Sequence, residues 1–487
     1  MARSLKRILF VAAEAAPLAK AGGLADVAGS LPKVLGQQGF DVRLVLPFYR
    51  AIDQRRFQIR KRPERFDVRF DGIQHTVRLF ETTLPGSRVP VYLVDHPHYE
   101  GAGDIYYQDV TNTKEQQLLQ VERFLFFSRC VPELIKALRW SPDILHCHDW
   151  HAAPAILLTR IFGTRRPASV FTIHNLPLQG SLPITRFCEL LGIRQASLSL
   201  PRGALQNNTV NMTALGLTTA DILTTVSPQY AREILLPKNG AGLDGIIRKR
   251  RSRLVGILNG IDTAVFDPAH DPTITPFAPS SLDRRERNTE QLQKHLGLEN
   301  RRPLFGLVSR LTSQKGIALV CRILPRLVQL GGSAAILGSG EPNLESSLKT
   351  LAQKFPRSIS VTIGFDAALA QRIYAGSDVF LMPSLFEPCG LGQMIAMRYG
   401  SIPIVRETGG LKDSVRGGTQ RTGFLFQKPT AAAFLKACLD AQTLFRDTKR
   451  WKTLQRRAMS QDFSWEQSSH LYKRVYKKAQ TFSHDSA

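Results

Sequence analysis

Short apolar runs recur along this chain at helix-length intervals, at residues 8–11, 42–46, 89–94, 144–146, 169–173 and 222–226, then 304–309, 334–337, 359–363, 379–382 and 402–405. The segments between them carry helical periodicity. A strand followed by a helix can only rejoin its sheet in parallel, so the alternation predicts parallel sheets covered by helices on both faces. The expected fold class is α/β, with two tandem doubly wound Rossmann-like domains and an interdomain cleft. Residues 259–268 and the Pro-rich stretch on to 281 carry strong breaker chemistry, which places the boundary near residue 255. The expected domains are 1–254 and 255–460, with a last segment, 461–487, whose helix from Trp465 to about Gln480 returns to the first domain.

A chain of 487 residues with 43% hydrophobic content has material for more than one core. The basic start followed by residues 8–13 superficially resembles a secretory leader, yet Glu14 interrupts the apolar run and Lys20 follows soon after. A buried first strand accounts for the pattern better. No uncharged run approaches the length of a transmembrane segment. Six cysteines (130, 147, 188, 321, 389 and 438) lie far apart with no Cys-x-x-Cys pair, the usage of a reducing compartment, so a cytoplasmic location is expected. The net charge of +25 is spread along the chain, with short clusters only at residues 248–251 and 284–285. No zinc-finger spacing, aromatic RNA-binding signature or basic tail accompanies it, so no specific nucleic acid partner is expected.

Several glycine corners follow the predicted strands. Lys20-Ala-Gly22-Gly23-Leu sets glycines where backbone can approach a ligand, beside a lysine able to meet a phosphate or hydroxyl. It is neither a phosphate-binding P-loop nor a Gly-x-Gly-x-x-Gly fingerprint, and alone it equally suits a structural turn. Arg310 and Lys315 lie on the loop after residues 304–309, a fork and a point charge suited to a diphosphate. Glu387, within Ser384-Leu-Phe-Glu-Pro-Cys389-Gly390-Leu391, and the corner Thr408-Gly409-Gly410 complete the set in the second half. The run His146-Cys-His-Asp149-Trp-His151 lacks the partners of a tetrahedral metal site. With no Asp-x-Asp in the chain, a nucleotide-diphosphate transferase built on it needs Arg and Lys in place of a divalent cation. His174, after residues 169–173, reads by itself as a satisfied strand-end histidine.

Taken in order, Lys20-Ala-Gly-Gly-Leu-Ala-Asp26-Val, His146-Cys-His-Asp-Trp-His, Phe171-Thr-Ile-His-Asn, Val226-Ser-Pro, Leu258-Asn259-Gly-Ile-Asp, Val308-Ser-Arg-Leu-Thr-Ser-Gln-Lys-Gly, Phe386-Glu-Pro-Cys-Gly-Leu, Thr408-Gly-Gly-Leu and Asp462-Phe-Ser-Trp closely resemble the bacterial glycogen synthases and plant starch synthases. The resemblance spans nearly the whole chain. It implies a retaining GT-B glycosyltransferase that moves glucose from ADP-glucose to the 4-hydroxyl of an α-1,4-glucan end, glycogen or maltodextrin, with no metal or other cofactor. It further implies that Lys20, Gly22 and Gly23 contact the donor and that Arg310 and Lys315 stabilise the departing diphosphate. Glu387 would lie near the sugar, and His174 would offer its backbone or ring to glucosyl hydroxyls. Asp26 and Asp149 look like sugar or acceptor contacts, and Asn259, Cys389, Gly390, Leu391, Thr408, Gly409 and Gly410 complete the substrate-binding set. Cys389 reads as a small structural hydrophobe rather than a nucleophile.

Some positions depart from the family pattern. Phe365 stands where a tyrosine commonly stacks on adenine, Ala214 where a lysine is usual, and Leu385 where an arginine is frequent. Residues 177–213 match least. Alternative readings are a GT-B transferase using UDP-glucose or a membrane-surface acceptor, and a glucan-binding protein with weakened catalysis.

Overall fold

The computed structural model describes residues 6–97, 105–106, 114–198, 200–201 and 203–484, so residues 1–5 of the leader-like start lie outside the described residues. The chain divides into two compact units. One comprises Met1–Val226, Ala231–Ile257 and Trp465–Ala487; the other comprises Ser227–Tyr230 and Leu258–Ser464.

In the first unit the strands are β1 (Arg7–Val11), β2 (Asp41–Pro47), β3 (Arg60–Phe70), β4 (Ile73–Thr83), β5 (Pro90–Asp95), β6 (Ile144–His148), β7 (Ala168–Ile173), β8 (Ser181–Pro183), β9 (Leu205–Gln206), β10 (Thr209–Asn211), β11 (Ile222–Thr225) and β12 (Leu254–Gly256). Among the described residues nine of them form one sheet in the order β12-β11-β7-β6-β1-β2-β5-β4-β3. Strands β12 to β5 run parallel, as the apolar runs predict. The far edge does not: β3 and β4 form an antiparallel hairpin, so the sheet is mixed. That hairpin escapes a search for apolar runs because β3 alternates with period two, burying Phe66, Val68 and Phe70 while Arg65, Asp67 and Arg69 face water. Strands β8, β10 and β9 make a separate small antiparallel sheet in the segment that resembles the family least.

The chain leaves β1 toward β2 on one side and, after the hairpin and the helix Lys114–Ala137, returns to β6 on the other. Strand order therefore reverses between β1 and β6. The carboxyl ends of the two strands flanking such a reversal are splayed apart, which is where open α/β sheets bind ligands.

Helix Gly23–Gln37 buries Leu24, Val27, Ala28, Leu31 and Leu35 in the core that also receives Ile8 and Phe10 of β1. The last helix, Trp465–His484, adds Trp465, Tyr472, Val475, Tyr476 and Ala479 to that core. Each large apolar side chain so buried contributes roughly 1.5–3 kcal/mol. Polar tethers fix the helix register: Tyr476 Oη lies 2.9 Å from His146 Nδ1, and Gln38 Nε2 donates to Ser469 Oγ at 2.8 Å.

In the second unit β13 (Leu304–Val308), β14 (Ser333–Gly338), β15 (Ile359–Ile363), β16 (Val379–Met382), β17 (Ile402–Arg406) and β18 (Phe424–Phe426) form a parallel sheet in the order β15-β14-β13-β16-β17-β18. Here the order reverses between β13 and β16, so the loops after these two strands flank the second switch point.

Candidate active site

In the second unit, the loops after β13, β16 and β17 meet at glycines that leave no room for a side chain. Gly316, at φ 70°, would place a Cβ 2.2 Å from Pro383 O; Gly409, at φ 43°, would place one 1.9 Å from Glu387 O. A Cβ on Gly410 would fall 2.2 Å from Cys389 O. No L side chain tolerates such distances, so these glycines are required by backbone-on-backbone contact. The loops are further tied by Leu385 N–H donating to Gln314 O at 2.8 Å and Gly410 N–H to Glu387 O at 3.1 Å.

This packing brings Lys315 and Glu387 together. Lys315 Nζ donates to Glu387 Oε2 at 2.5 Å, and Ser384 Oγ donates to the same oxygen at 3.0 Å. Glu387 Oε1 has no protein hydrogen-bond partner among the described residues. The guanidinium of Arg310, one turn earlier on the loop after β13, is exposed and has no protein partner among the described residues. Among the described residues these loops thus carry Arg310 unpaired, Lys315 paired with Glu387, and a Glu387 carboxylate oxygen free to face a ligand.

The Asn259 backbone N–H points at the sulfur of Cys389, whose thiol burial pushes up to about 12, so Cys389 packs the corner as an inert hydrophobe. Gly390, at φ 74°, turns the chain so that Leu391 caps the helix Gly392–Arg398. Thr408 is buried at the residue preceding the helix that begins at Gly409. Phe365 stands apart, after β15, with 88% of its surface exposed. Gly364, at φ 132°, and the helix cap Asp366, which accepts from Leu369 N–H at 2.9 Å, hold the backbone on either side of that ring. Leu385 is exposed where the family often has arginine, and Arg406 of β17 reaches the same loop, donating to Ser384 O at 2.8 Å and to Leu385 O.

In the first unit, the turn after β1 is organised by Glu14, which sequence reasoning treated only as an interruption of an apolar run. Its Oε2 accepts both the Ala21 and Gly22 N–H groups at 2.7 Å, and its Oε1 accepts from Tyr106 Oη at 2.5 Å. Those amides are therefore occupied by the chain's own carboxylate. Lys20 donates to Asp26 Oδ1 at 2.7 Å, so these two candidate residues meet each other. Gly22 and Gly23 differ from the glycines of the second unit: a Cβ on Gly22 would come no closer than 3.9 Å to Glu14, and one on Gly23 would meet nothing. Packing does not demand glycine at either position.

Across the switch point, Asp149 follows β6 at φ 55°, a left-handed conformation. Its Oδ1 accepts His174 N–H at 2.7 Å, and its carboxylate also receives Asn175 N–H. The backbone donor that the resemblance would have His174 offer to a sugar is thus taken, leaving the ring. Burial pushes the Asp149 carboxyl up to about 7 despite those two donors, with the nearby Glu14 charge adding to the rise. The His174 ring lies against His148, Nε2 to Nδ1 at 2.9 Å. Ala214 is fully buried within the helix Met212–Thr219, whose first turn Asn211 caps through Ala214 N–H.

Glu14 and Tyr106 carry no role in the sequence reading, while His148 and Ser384 lie within its motifs without a role of their own. An acid three residues beyond the apolar strand that ends at Val11 is the available signal for Glu14. No grouping of three or more His, Cys, Asp or Glu able to hold a metal occurs among the described residues, and no helix there is long and apolar enough to cross a membrane.

The starch synthase catalytic domain family matches residues 7–249, and the glycosyl transferases group 1 family matches residues 302–443. A glycogen synthase from Geotalea daltonii is 40% identical over 484 residues, covering 97% of this chain and 98% of its own. One from Cellvibrio japonicus is 42% identical, covering 96% and 98%. The catalytic domain of starch synthase IV from Arabidopsis thaliana, solved bound to ADP and acarbose, superposes with a TM-score of 0.90 at 35% identity, covering 98% of this chain and all of its own. With matches across both units, the chain belongs to the glycogen synthase and starch synthase family, glucosyltransferases of the two-domain GT-B fold.

Proposed function

We propose that this chain transfers glucose from ADP-glucose to the non-reducing 4-hydroxyl of an α-1,4-glucan, glycogen or maltodextrin, with retention and without a metal or other cofactor. The observation that carries the reading is the corner of the second unit, where unpaired Arg310 stands on the same loop as Lys315, itself bonded to Glu387. In the transfer, the sugar C1–O bond breaks and its electron pair passes to the diphosphate, while the acceptor O4 forms the new bond to C1. The acceptor proton goes to a leaving phosphate oxygen. Negative charge grows on the diphosphate and positive charge on the sugar, so preorganised cations serve the first and the Glu387 carboxylate the second. Phe365 offers an uncovered ring on which a base can stack. In the first unit, Lys20, Gly22, Gly23, Asp26 and the His174 ring serve the bound sugars, and Asp149 holds the backbone that carries His174.

The relatives support this assignment, in particular the starch synthase bound to ADP and acarbose. A cytoplasmic site of action is supported by the six free cysteines, five of them buried. The test is nucleotide diphosphate release by the purified chain from ADP-glucose or UDP-glucose, each with and without glycogen. Release from ADP-glucose that requires glycogen is expected; release from UDP-glucose alone, or from neither by folded protein, would overturn the reading.

A further inference from the structure

We infer that His148 is a positioning residue: it holds His174 in the Nδ1–H form, so that His174 meets the substrate as a hydrogen-bond donor. The identity of that substrate rests on the glucosyltransferase reading above; the tautomer itself does not.

His148 is the last residue of β6 and is wholly buried, its ring stacked against Phe10 at 5.4 Å between centroids and lying at a tilt against His146 at 4.2 Å. These contacts leave the ring no freedom to turn away. His148 Nδ1 lies 2.9 Å from His174 Nε2, and His148 Nε2 is closed off from solvent with no partner among the described residues. His174 is anchored from the other side, because its backbone N–H is held by Asp149, the residue that follows His148. One β-strand end therefore fixes both the backbone and the ring of His174. Of the hydrogen-bonding groups on this ring, Nδ1 alone remains for a ligand.

The hydrogen position follows from what each arrangement leaves buried. If His174 Nε2–H donated to His148 Nδ1, then His148 would carry its proton on Nε2, a buried N–H with nothing to accept it. Orphaned buried N–H groups are rare and cost about 1–3 kcal/mol. If instead His148 Nδ1–H donates to His174 Nε2, the group left over is a lone pair, the milder defect. Burial keeps both rings neutral near neutral pH, since it holds the His174 ring down to about 3 and His148 well below the histidine range. A neutral His174 whose Nε2 accepts must carry its hydrogen on Nδ1. The ring then favours ligands that present a lone pair, such as a sugar hydroxyl oxygen, and its role does not switch with pH across the neutral range.

The decisive measurement is ring-nitrogen NMR of the full chain with labelled histidine, using a His174→Asn sample only to assign the His174 signals. Wild-type protein is expected to show His174 protonated at Nδ1 and bare at Nε2; a His174 protonated at Nε2 overturns the inference. His148→Phe keeps an aromatic ring between Phe10 and His146 and removes the donor. In this variant nothing any longer fixes the His174 hydrogen, so a mixture of the Nδ1–H and Nε2–H forms is expected in place of the single form, and kcat/KM is expected to fall about tenfold, the order of one net hydrogen bond. His148→Asn, whose amide N–H stands near the place of Nδ1–H, is expected to restore both the tautomer and most of the rate. Wild-type turnover in folded His148→Phe, with the tautomer unmoved, overturns the assignment. Should wild-type protein release no ADP, that failure falls on the glucosyltransferase reading, and the NMR signals still decide this one.

Discussion

Lys315 Nζ stands 2.5 Å from Glu387 Oε2, and Ser384 Oγ bonds the same oxygen, so cation and carboxylate act as one unit. Glu387→Gln and Lys315→Ala are each expected to lower kcat by about two to three orders of magnitude, the size of losing one preorganised electrostatic group. Because each residue orients the other, the double variant should lose little more than the worse single. The kcat values of the two singles and the double check this; losses that multiply would mean that the pair does not function together.

Arg310 should separate catalysis from stability. Its guanidinium is exposed and makes no hydrogen bond or ion pair among the described residues, so Arg310→Ala is expected to change unfolding free energy by no more than about 0.5 kcal/mol. If it meets the leaving diphosphate, kcat falls by about two to three orders of magnitude. Paired denaturant titration and steady-state kinetics measure both. Near-normal turnover in the folded variant removes Arg310 from the mechanism.

The glycines of helix Gly23–Gln37 make a similar contrast. A Cβ on Gly29 would sit 2.3 Å from the Ala16 carbonyl oxygen, whereas one on Gly23 meets nothing. Gly29→Ala is thus expected to destabilise by about 1–3 kcal/mol. Gly23→Ala should fold as well as wild type or better by up to about 1 kcal/mol, since alanine favours the helix. Its effect belongs to the ligand: donor KM should rise about tenfold or more as the methyl meets substrate. An unchanged KM would make Gly23 a spectator.

The parts of this fold that the sequence announces are those where one physical signal dominates. Strands such as β16, and β1 beyond Arg7, are buried on both faces, so their residues are apolar and stand out as runs. The β3–β4 hairpin has one wet face, and its arginines hide its apolar alternation. The same distinction governs the site. Arg310, Lys315 and Glu387 sit in loops directly after legible strands, and glycines mark the turns that present them. Glu14 and His148 work through partners far along the chain, Tyr106 and His174, and no local spacing encodes such a pairing. Nor does a lysine in a glycine corner disclose that Asp26 already holds it.

The buried histidines give the first unit a pH dependence of definite sign. Burial holds His146, His151 and His174 down to about 3 and His148 well below its ordinary value, while it pushes Asp149 up to about 7. An unfolded histidine binds a proton as pH falls through about 6.5 and these do not, so the stability they contribute is complete above that pH and is lost toward 3. Asp149 runs the other way. Its folded carboxyl keeps a proton that the unfolded one releases near 4, so its contribution is present at low pH and is lost as pH rises through about 7. Around pH 5 the four histidines take up protons on unfolding and Asp149 releases one, a net uptake of three from these groups. At about 1.4 kcal/mol per proton per pH unit, stability should fall by about 4 kcal/mol for each unit below 6. Urea unfolding at pH 5, 6 and 7 reads this slope directly. A profile that stays flat from pH 6.5 to 5 would show that the histidines behind His174 are not held neutral, and with that the buried packing that fixes His148 would lose its support.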